Sequence, residues 1–132
     1  MSKGTRISVP LGTIAVEDII VGDVVSTPNG TATVSRIRVK ESNRTVEVTL
    51  HTHYSGVNFT LIGDWDEEVF TLPNHNRKLG SLHRINMVSD KTQVLKVETE
   101  YNKRIPTYLL TLDGGDYYLV NGVKVRSEYG IL

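Results

Sequence analysis

The sequence predicts an all-β domain built of many short, mostly antiparallel strands with little or no helix. Three observations predict it. Apolar and polar residues alternate with a period of two over most of the chain. The 11 glycines and 4 prolines fall between the alternating stretches rather than within them. No stretch keeps the 3.6-residue apolar spacing of a helix for more than a turn.

Each element follows from its own residues. Ala15-Val16-Glu17-Asp18 suits a single helical turn, which the β-branched run Ile19-Ile20-Val21 and then Gly22 stop. Gly22 suits a positive φ that lifts the chain into the strand begun by Val24-Val25. Pro28-Asn29-Gly30 signals a tight turn, with Asn29-Gly30 the favoured hairpin pair. Residues 31–40 place Ala32 and Val34 in one register and Ile37 and Val39 in the other, so a bulge is expected near Ser35. Arg36, Arg38 and Lys40 read as a solvated face of that strand. Residues 44–53 alternate again, with Val46, Val48 and Leu50 facing inward. Strands are also expected over 57–62, 92–100 and 107–112, and a second short turn within 79–85. Asp113-Gly114-Gly115-Asp116 and Asn121-Gly122 are expected to join three C-terminal strands into a meander.

Composition narrows the function classes. The chain has 132 residues, the size of one domain, with neither linker nor repeat, so residues 1–132 are taken as a single domain. Lys plus Arg and Asp plus Glu are 15 each, which argues against a nucleic-acid partner. No apolar run is long enough to span a membrane, and the first residues lack the apolar core of a signal peptide, so neither a membrane partner nor secretion is expected. The absence of cysteine removes disulfides, thiolate metal sites and a thiol nucleophile.

Two stretches carry a family resemblance. Gly4-Thr5-Arg6-Ile7, Leu11-Gly12-Thr13-Ile14-Ala15-Val16-Glu17-Asp18-Ile19 and Val21-Gly22-Asp23-Val24-Val25 resemble the opening of the Hint domains of hedgehog proteins and inteins. Thr107-Tyr108-Leu109-Leu110-Thr111-Leu112-Asp113 and Tyr117-Tyr118-Leu119-Val120-Asn121-Gly122-Val123-Lys124-Val125 resemble the closing hairpin of that family. Together they bracket nearly the whole chain. The resemblance implies a flat, horseshoe-like module whose two ends meet at a central site.

The same resemblance implies chemistry that the residues do not support. A self-cutting member needs a Cys or Ser at the first strand to attack the preceding carbonyl; here the position falls on Met1, with Ser2 beside it and no upstream peptide bond. The family's Thr-x-x-His motif has its counterpart in Thr71-Leu72-Pro73-Asn74-His75, but the spacing is longer by one residue, which in a strand reverses the facing of a side chain. The His-Asn that ends an intein is matched by Arg126-Ser127: Arg stays protonated at neutral pH and Ser forms no succinimide. Ser2, His75, Arg126 and Ser127 are therefore read as degenerate counterparts, and the expected catalytic set is empty.

Other clusters suggest contacts. Asp64-Trp65-Asp66-Glu67-Glu68 surrounds the only Trp, and Arg77, Lys78, His83 and Arg84 follow; the two runs read as complementary docking patches, or as a solvated loop with Trp65 turned inward. His51 and His53 share one strand face and are weak metal candidates, with no third ligand fixed by spacing, so no cofactor is expected. The sequence reading is thus a non-catalytic Hint-like structural or interaction module. The setting that the resemblance implies is a bacteriophage virion (tail, baseplate or neck), and otherwise the cytoplasm is expected. Its expected partners are virion proteins or copies of itself in a symmetric array. The alternative is a residual autoprocessing domain or protease.

Overall fold

A computed structural model describes residues 1–128 of the chain. Ten strands and two short 3₁₀ turns form three antiparallel sheets. Strands β1 (Arg6–Val9) and β2 (Gly12–Ala15) make a ribbon; β3 (Val24–Thr27), β4 (Gly30–Thr52), β5 (Val57–Asp64) and β8 (Thr92–Asp113) make the main sheet. The third sheet has the order β7-β6-β10-β9, from β6 (Glu68–Thr71), β7 (His75–Lys78), β9 (Tyr117–Val120) and β10 (Val123–Arg126). The helical turns are Val16–Asp18 and Leu79–Ser81, where the sequence places them. No helix among the described residues is long and apolar enough to cross a membrane.

The expected short strands fuse into two long ones. The stretches 31–40 and 44–53 are one strand, β4, paired along almost its whole length with β8, which likewise joins 92–100 to 107–112. Register shifts between Val34 and Arg36 and between Ser42 and Arg44 take up the changes of facing. The first is the bulge that the pattern around Ser35 predicts. At the second, Ser42 Oγ accepts from the Arg44 N–H at 3.3 Å and donates to Asp64 Oδ1 at 2.5 Å, pinning the irregularity without ending the strand.

Two turns differ from expectation. The β3–β4 hairpin closes with Thr27 opposite Gly30, so Pro28-Asn29 forms the loop rather than Asn29-Gly30. The three-stranded C-terminal meander does not form: β9 and β10 pair through Asn121-Gly122, whereas β8 pairs with β4. Gly114 takes φ +87°, and a Cβ on Gly115 would lie 3.1 Å from Ala32 Cβ, so this loop leaves the main sheet through a space where a side chain barely fits. Asn121 (φ 49°) and Gly122 (φ 79°) both adopt the left-handed region that a two-residue hairpin requires.

The core lies where the sheets meet. Val34, Val46, Val48 and Leu50 of β4, Leu110 of β8 and Tyr118, Val120, Val123 and Val125 of the last hairpin are buried together. Each fully buried Val or Leu contributes roughly 1.5–3 kcal/mol against the entropy of ordering the chain. Met1 belongs to this core and is 0% exposed.

Candidate functional site

Both described ends dock on β8. The Met1 carbonyl accepts the Tyr108 N–H at 2.8 Å, and the Met1 α-amino group donates to the Tyr108 carbonyl at 3.0 Å. Two residues along the same strand, the Glu128 N–H donates to the Leu110 carbonyl at 2.8 Å. Ser127 Oγ accepts the Leu112 N–H at 2.9 Å, which ties the segment after β10 to the same strand. The ends therefore meet at one place, as the resemblance implies.

A cavity of about 260 Å³ lies at this junction, with Tyr118, Leu109 and Leu110 among its walls. Its charged lining comes from four places: Arg38 and Lys40 of β4, the turn between β5 and β6, Arg126 of β10, and Glu128. Arg38 Nε donates to Glu128 Oε1 at 2.8 Å, and Arg126 pairs with Glu68 at 3.1 Å. Lys40 pairs with Asp64 at 3.1 Å. Arg38 and Lys40 are residues that the alternation assigns to a solvated face. They also line the cavity, Arg38 remaining exposed and Lys40 half-buried, because the segment at Glu128 and the β5–β6 turn are brought beside that face by contacts from distant parts of the sequence.

The β5–β6 turn orients its acidic residues in opposite directions. The Glu67 N–H donates to the Asp64 carbonyl at 3.0 Å, and Asp64 Oδ2 accepts the Asp66 N–H at 3.1 Å, the local bonding of an Asx turn. Asp64 is 5% exposed and Glu67 7%, so these two point inward and are not the docking surface that the acidic run suggests. Burial opposes ionisation of Asp64, yet hydrogen bonds from Ser42, Lys40 and the Asp66 N–H outweigh it and hold its pKa below the ordinary carboxylate value. Glu67 Oε1 accepts from the Met1 α-amino group and from the Asp64 N–H at 3.1 Å.

Asp66 faces outward but is paired within the chain, with Arg44 at 3.6 Å and Lys78 at 3.3 Å. Trp65 is half-buried. A Cβ on Gly80 would fall 1.8 Å from Trp65 Cε2, and Arg44 Cζ stands 4.2 Å from the ring centroid, so the indole lies between a glycine backbone and a guanidinium. Arg77 Nε donates to Thr71 Oγ1 at 3.1 Å, and Arg84 is exposed on the loop after Leu79–Ser81. Among the described residues Asp66 and Lys78 are the one ion pair between the two runs, while Asp64, Glu67 and Glu68 pair with Lys40, Met1 and Arg126.

The degenerate counterparts separate. Ser2 forms a bridge with Thr107, and its N–H donates to the Ile62 carbonyl at 2.7 Å. Arg126 and Ser127 line the cavity. His75 does not: it opens β7 on the exposed face of the β6–β7 hairpin, with its carbonyl accepting from Thr71 Oγ1 at 3.2 Å. No histidine is among the described residues that line the cavity. His51, near the end of β4, and His53, just beyond it, have ring centroids 4.9 Å apart and bond to Asn58 at 2.6 Å and Gln93 at 3.2 Å. Among the described residues no group of three His, Asp or Glu side chains is placed to hold a metal ion.

Comparison with solved structures decides the fold. A bacterial intein-like domain from Clostridium thermocellum, solved in solution, matches with a TM-score of 0.79 at 19% identity, over 96% of this chain and 96% of that one. The chain has the Hint-like fold of intein domains. The Msm DnaB1 intein splicing domain bound with zinc matches at TM-score 0.76 and 18% identity, over 97% of this Hint-like chain and 99% of that one. A DnaB intein from Synechocystis sp. PCC 6803 matches at 0.70 and 14%, over 97% and 98%. No family model matches the sequence, and no curated protein does. At these identities the likeness establishes the fold, and the chemistry must be read from the residues at the junction.

Proposed function

We propose that this Hint-like chain is a non-catalytic module that acts through protein–protein contacts. One observation supports the reading: Met1, the residue that the resemblance assigns to the nucleophile's position, is a thioether with no labile proton, fully buried at the junction among Leu79, Gly63 and Glu67. A buried methionine fills space well and attacks no carbonyl. The other two chemical roles are unfilled in the same sense. His75 stands on the exposed hairpin, and Arg126-Ser127 occupy the cavity wall where cyclisation would require an asparagine.

What the fold offers a partner is rigid shape and strand edges. β8 ends the main sheet with Lys96, Glu98 and Glu100 exposed along residues 96–100, a charged edge that suits selective pairing over indiscriminate aggregation. Exposed Arg84 and the outer side of Trp65 supply further contact groups. The setting we propose is an assembly of several subunits, with a virion as the setting that the resemblance implies, and no cofactor. Residual self-processing is the competing reading, and the shared junction of the ends is what favours it.

Intact mass discriminates the two. The chain is expressed with an unrelated folded segment added at each end and incubated for days at neutral pH with and without thiol. The non-catalytic reading expects a single unchanged mass. Release of either added segment, or excision of the chain with the two added segments joined to each other, would overturn it.

A further inference from the structure

Two carboxylates of the central cavity are each half satisfied. Glu67 commits Oε1 to the Met1 α-amino group and the Asp64 N–H, and its Oε2 is buried with no hydrogen-bond partner among the described residues. Glu128 commits Oε1 to the Arg38 guanidinium, and its Oε2 is likewise buried without a partner. The Glu67 side chain is only 4% exposed. A buried carboxylate oxygen without a donor is costly, and native structures leave few of them.

Both side chains line the same space. Fully buried Tyr118 lines it too; burial, together with the charges of Glu67 and Glu128, pushes its phenol well above the ordinary value, so both carboxylates act on this one group. Of the cations of the lining, Lys40 pairs with Asp64, Arg126 with Glu68 and Arg38 with Glu128 Oε1, which leaves the second oxygens of Glu67 and Glu128 unmet. With Asp66 turned outward, four carboxylates meet four cations once the Met1 α-amino group is counted, so the preference for a cationic donor comes from the two orphan carboxylate oxygens, which accept hydrogen bonds and repel an anion. With no set of three metal-ligating side chains among the described residues, the two oxygens suit a cation that donates hydrogen bonds.

We propose that the cavity binds a primary ammonium group on a short alkyl stem, with Glu67 and Glu128 accepting its N–H donors and Leu109 and Leu110 flanking the stem. An ammonium offers three donors and no acceptor, which matches two orphan oxygens and a phenol oxygen. It is more compact than a guanidinium. At about 260 Å³ the space falls just short of the usual range for drug-sized ligands, roughly 300 Å³ upward, and fits a group the size of a side chain. The ammonium can come from a lysine of a docked protein or from a free alkylamine. This inference does not depend on the non-catalytic reading, since a chain that cleaved itself would still give the titration below.

The full chain, labelled with ¹⁵N, is titrated at constant ionic strength with butylammonium chloride, with neutral butyramide, and with a short peptide carrying one lysine. Saturable shifts of the Glu67, Tyr118 and Glu128 amides are expected with butylammonium and not with butyramide. Glu128→Gln changes the more exposed carboxylate and is expected to weaken binding about tenfold while leaving the remaining spectrum in place. Tighter binding of the lysine peptide than of butylammonium assigns the site to a protein side chain; equal or weaker binding assigns it to a free amine. No saturable shift at tens of millimolar probe, the same shifts with butyramide, or unchanged affinity in Glu128→Gln would overturn the proposal and leave the orphan oxygens to water alone.

Discussion

Replacing Gly63 by alanine tests how tightly the junction of the two ends is packed. Gly63 lies in β5 opposite Val46. A Cβ there would stand 2.7 Å from Leu79 Cδ1, 3.0 Å from Glu67 Oε1 and 3.3 Å from Met1 Sδ. Leu79 and Met1 are both 0% exposed, so neither can swing into solvent to relieve the clash. Overpacking of this kind costs typically about 1–3 kcal/mol, and a value near 2 kcal/mol suits one methyl against three buried neighbours. With an unfolding entropy of about 2.1 cal/mol/K per residue, 132 residues give about 0.28 kcal/mol/K, so Tm should fall by about 7 °C. Calorimetry on Gly63→Ala measures this directly. Leu79→Ala alone should cost about 2–5 kcal/mol by emptying a buried site. The double variant should lose at least about 1 kcal/mol less than the sum, because the new methyl occupies the space that Leu79 vacates. A Gly63→Ala transition within about 2 °C of the wild type, or strict additivity in the double variant, would refute the packing argument.

Three further outcomes follow from other contacts. Gly80→Ala puts a methyl within the Trp65 ring and should expel the indole, seen as a red shift of its fluorescence and a loss of about 1–3 kcal/mol; unchanged emission would contradict the stacking. The Asp64 carboxyl is held below its ordinary value, so its contribution is complete above the unfolded pKa of about 3.9 and disappears as pH falls through the lower folded value. Urea midpoints measured from neutral to acid pH should therefore decline more steeply below about pH 4 in the wild type than in Asp64→Asn. Gly122→Val forces a β-branched residue to the observed φ of 79° and should cost about 1–3 kcal/mol in urea unfolding, whereas Asn121→Gly should cost little.

Local pattern revealed the sheets and the two 3₁₀ turns because their causes are local. Alternation marks Val46, Val48 and Leu50 as one buried face, and Asn121-Gly122 forms a turn whatever surrounds it. The length of β4 was not legible, because Ser42 carries the strand through a break in alternation that reads as an end. The partner of β8 was not legible either, since Gly114-Gly115 serves equally to turn a strand back or to carry it to another sheet. The site was half visible. Residue type and the resemblance single out Ser2, His75, Arg126 and Ser127 as counterparts, and of these Arg126 and Ser127 line the cavity. The cavity itself was not legible, because Arg38, Lys40 and Glu128 converge only through long-range pairing. Nothing short of the Asx turn at Asp64 separates the inward Asp64 and Glu67 from the outward Asp66 in a run of acidic residues.

That turn supports the shape-holding role proposed for the junction. Its carboxylates are engaged by Lys40, Ser42 and the Met1 α-amino group, which fixes the β5–β6 connection against β4 and β8. A reactive centre keeps such groups poised toward a scissile bond. Here hydrogen bonds within the chain direct them toward the framework.

The most direct measurement restores one reactive atom. Met1→Cys is prepared in the chain carrying added segments at both ends, and its intact mass is followed with and without thiol. If three roles were lost together, a thiol at position 1 still lacks a histidine in the cavity and an asparagine at its far wall, and the mass should stay unchanged. Thiol-dependent release of the upstream segment would show that the centre is intact but for one residue, and would contradict the account.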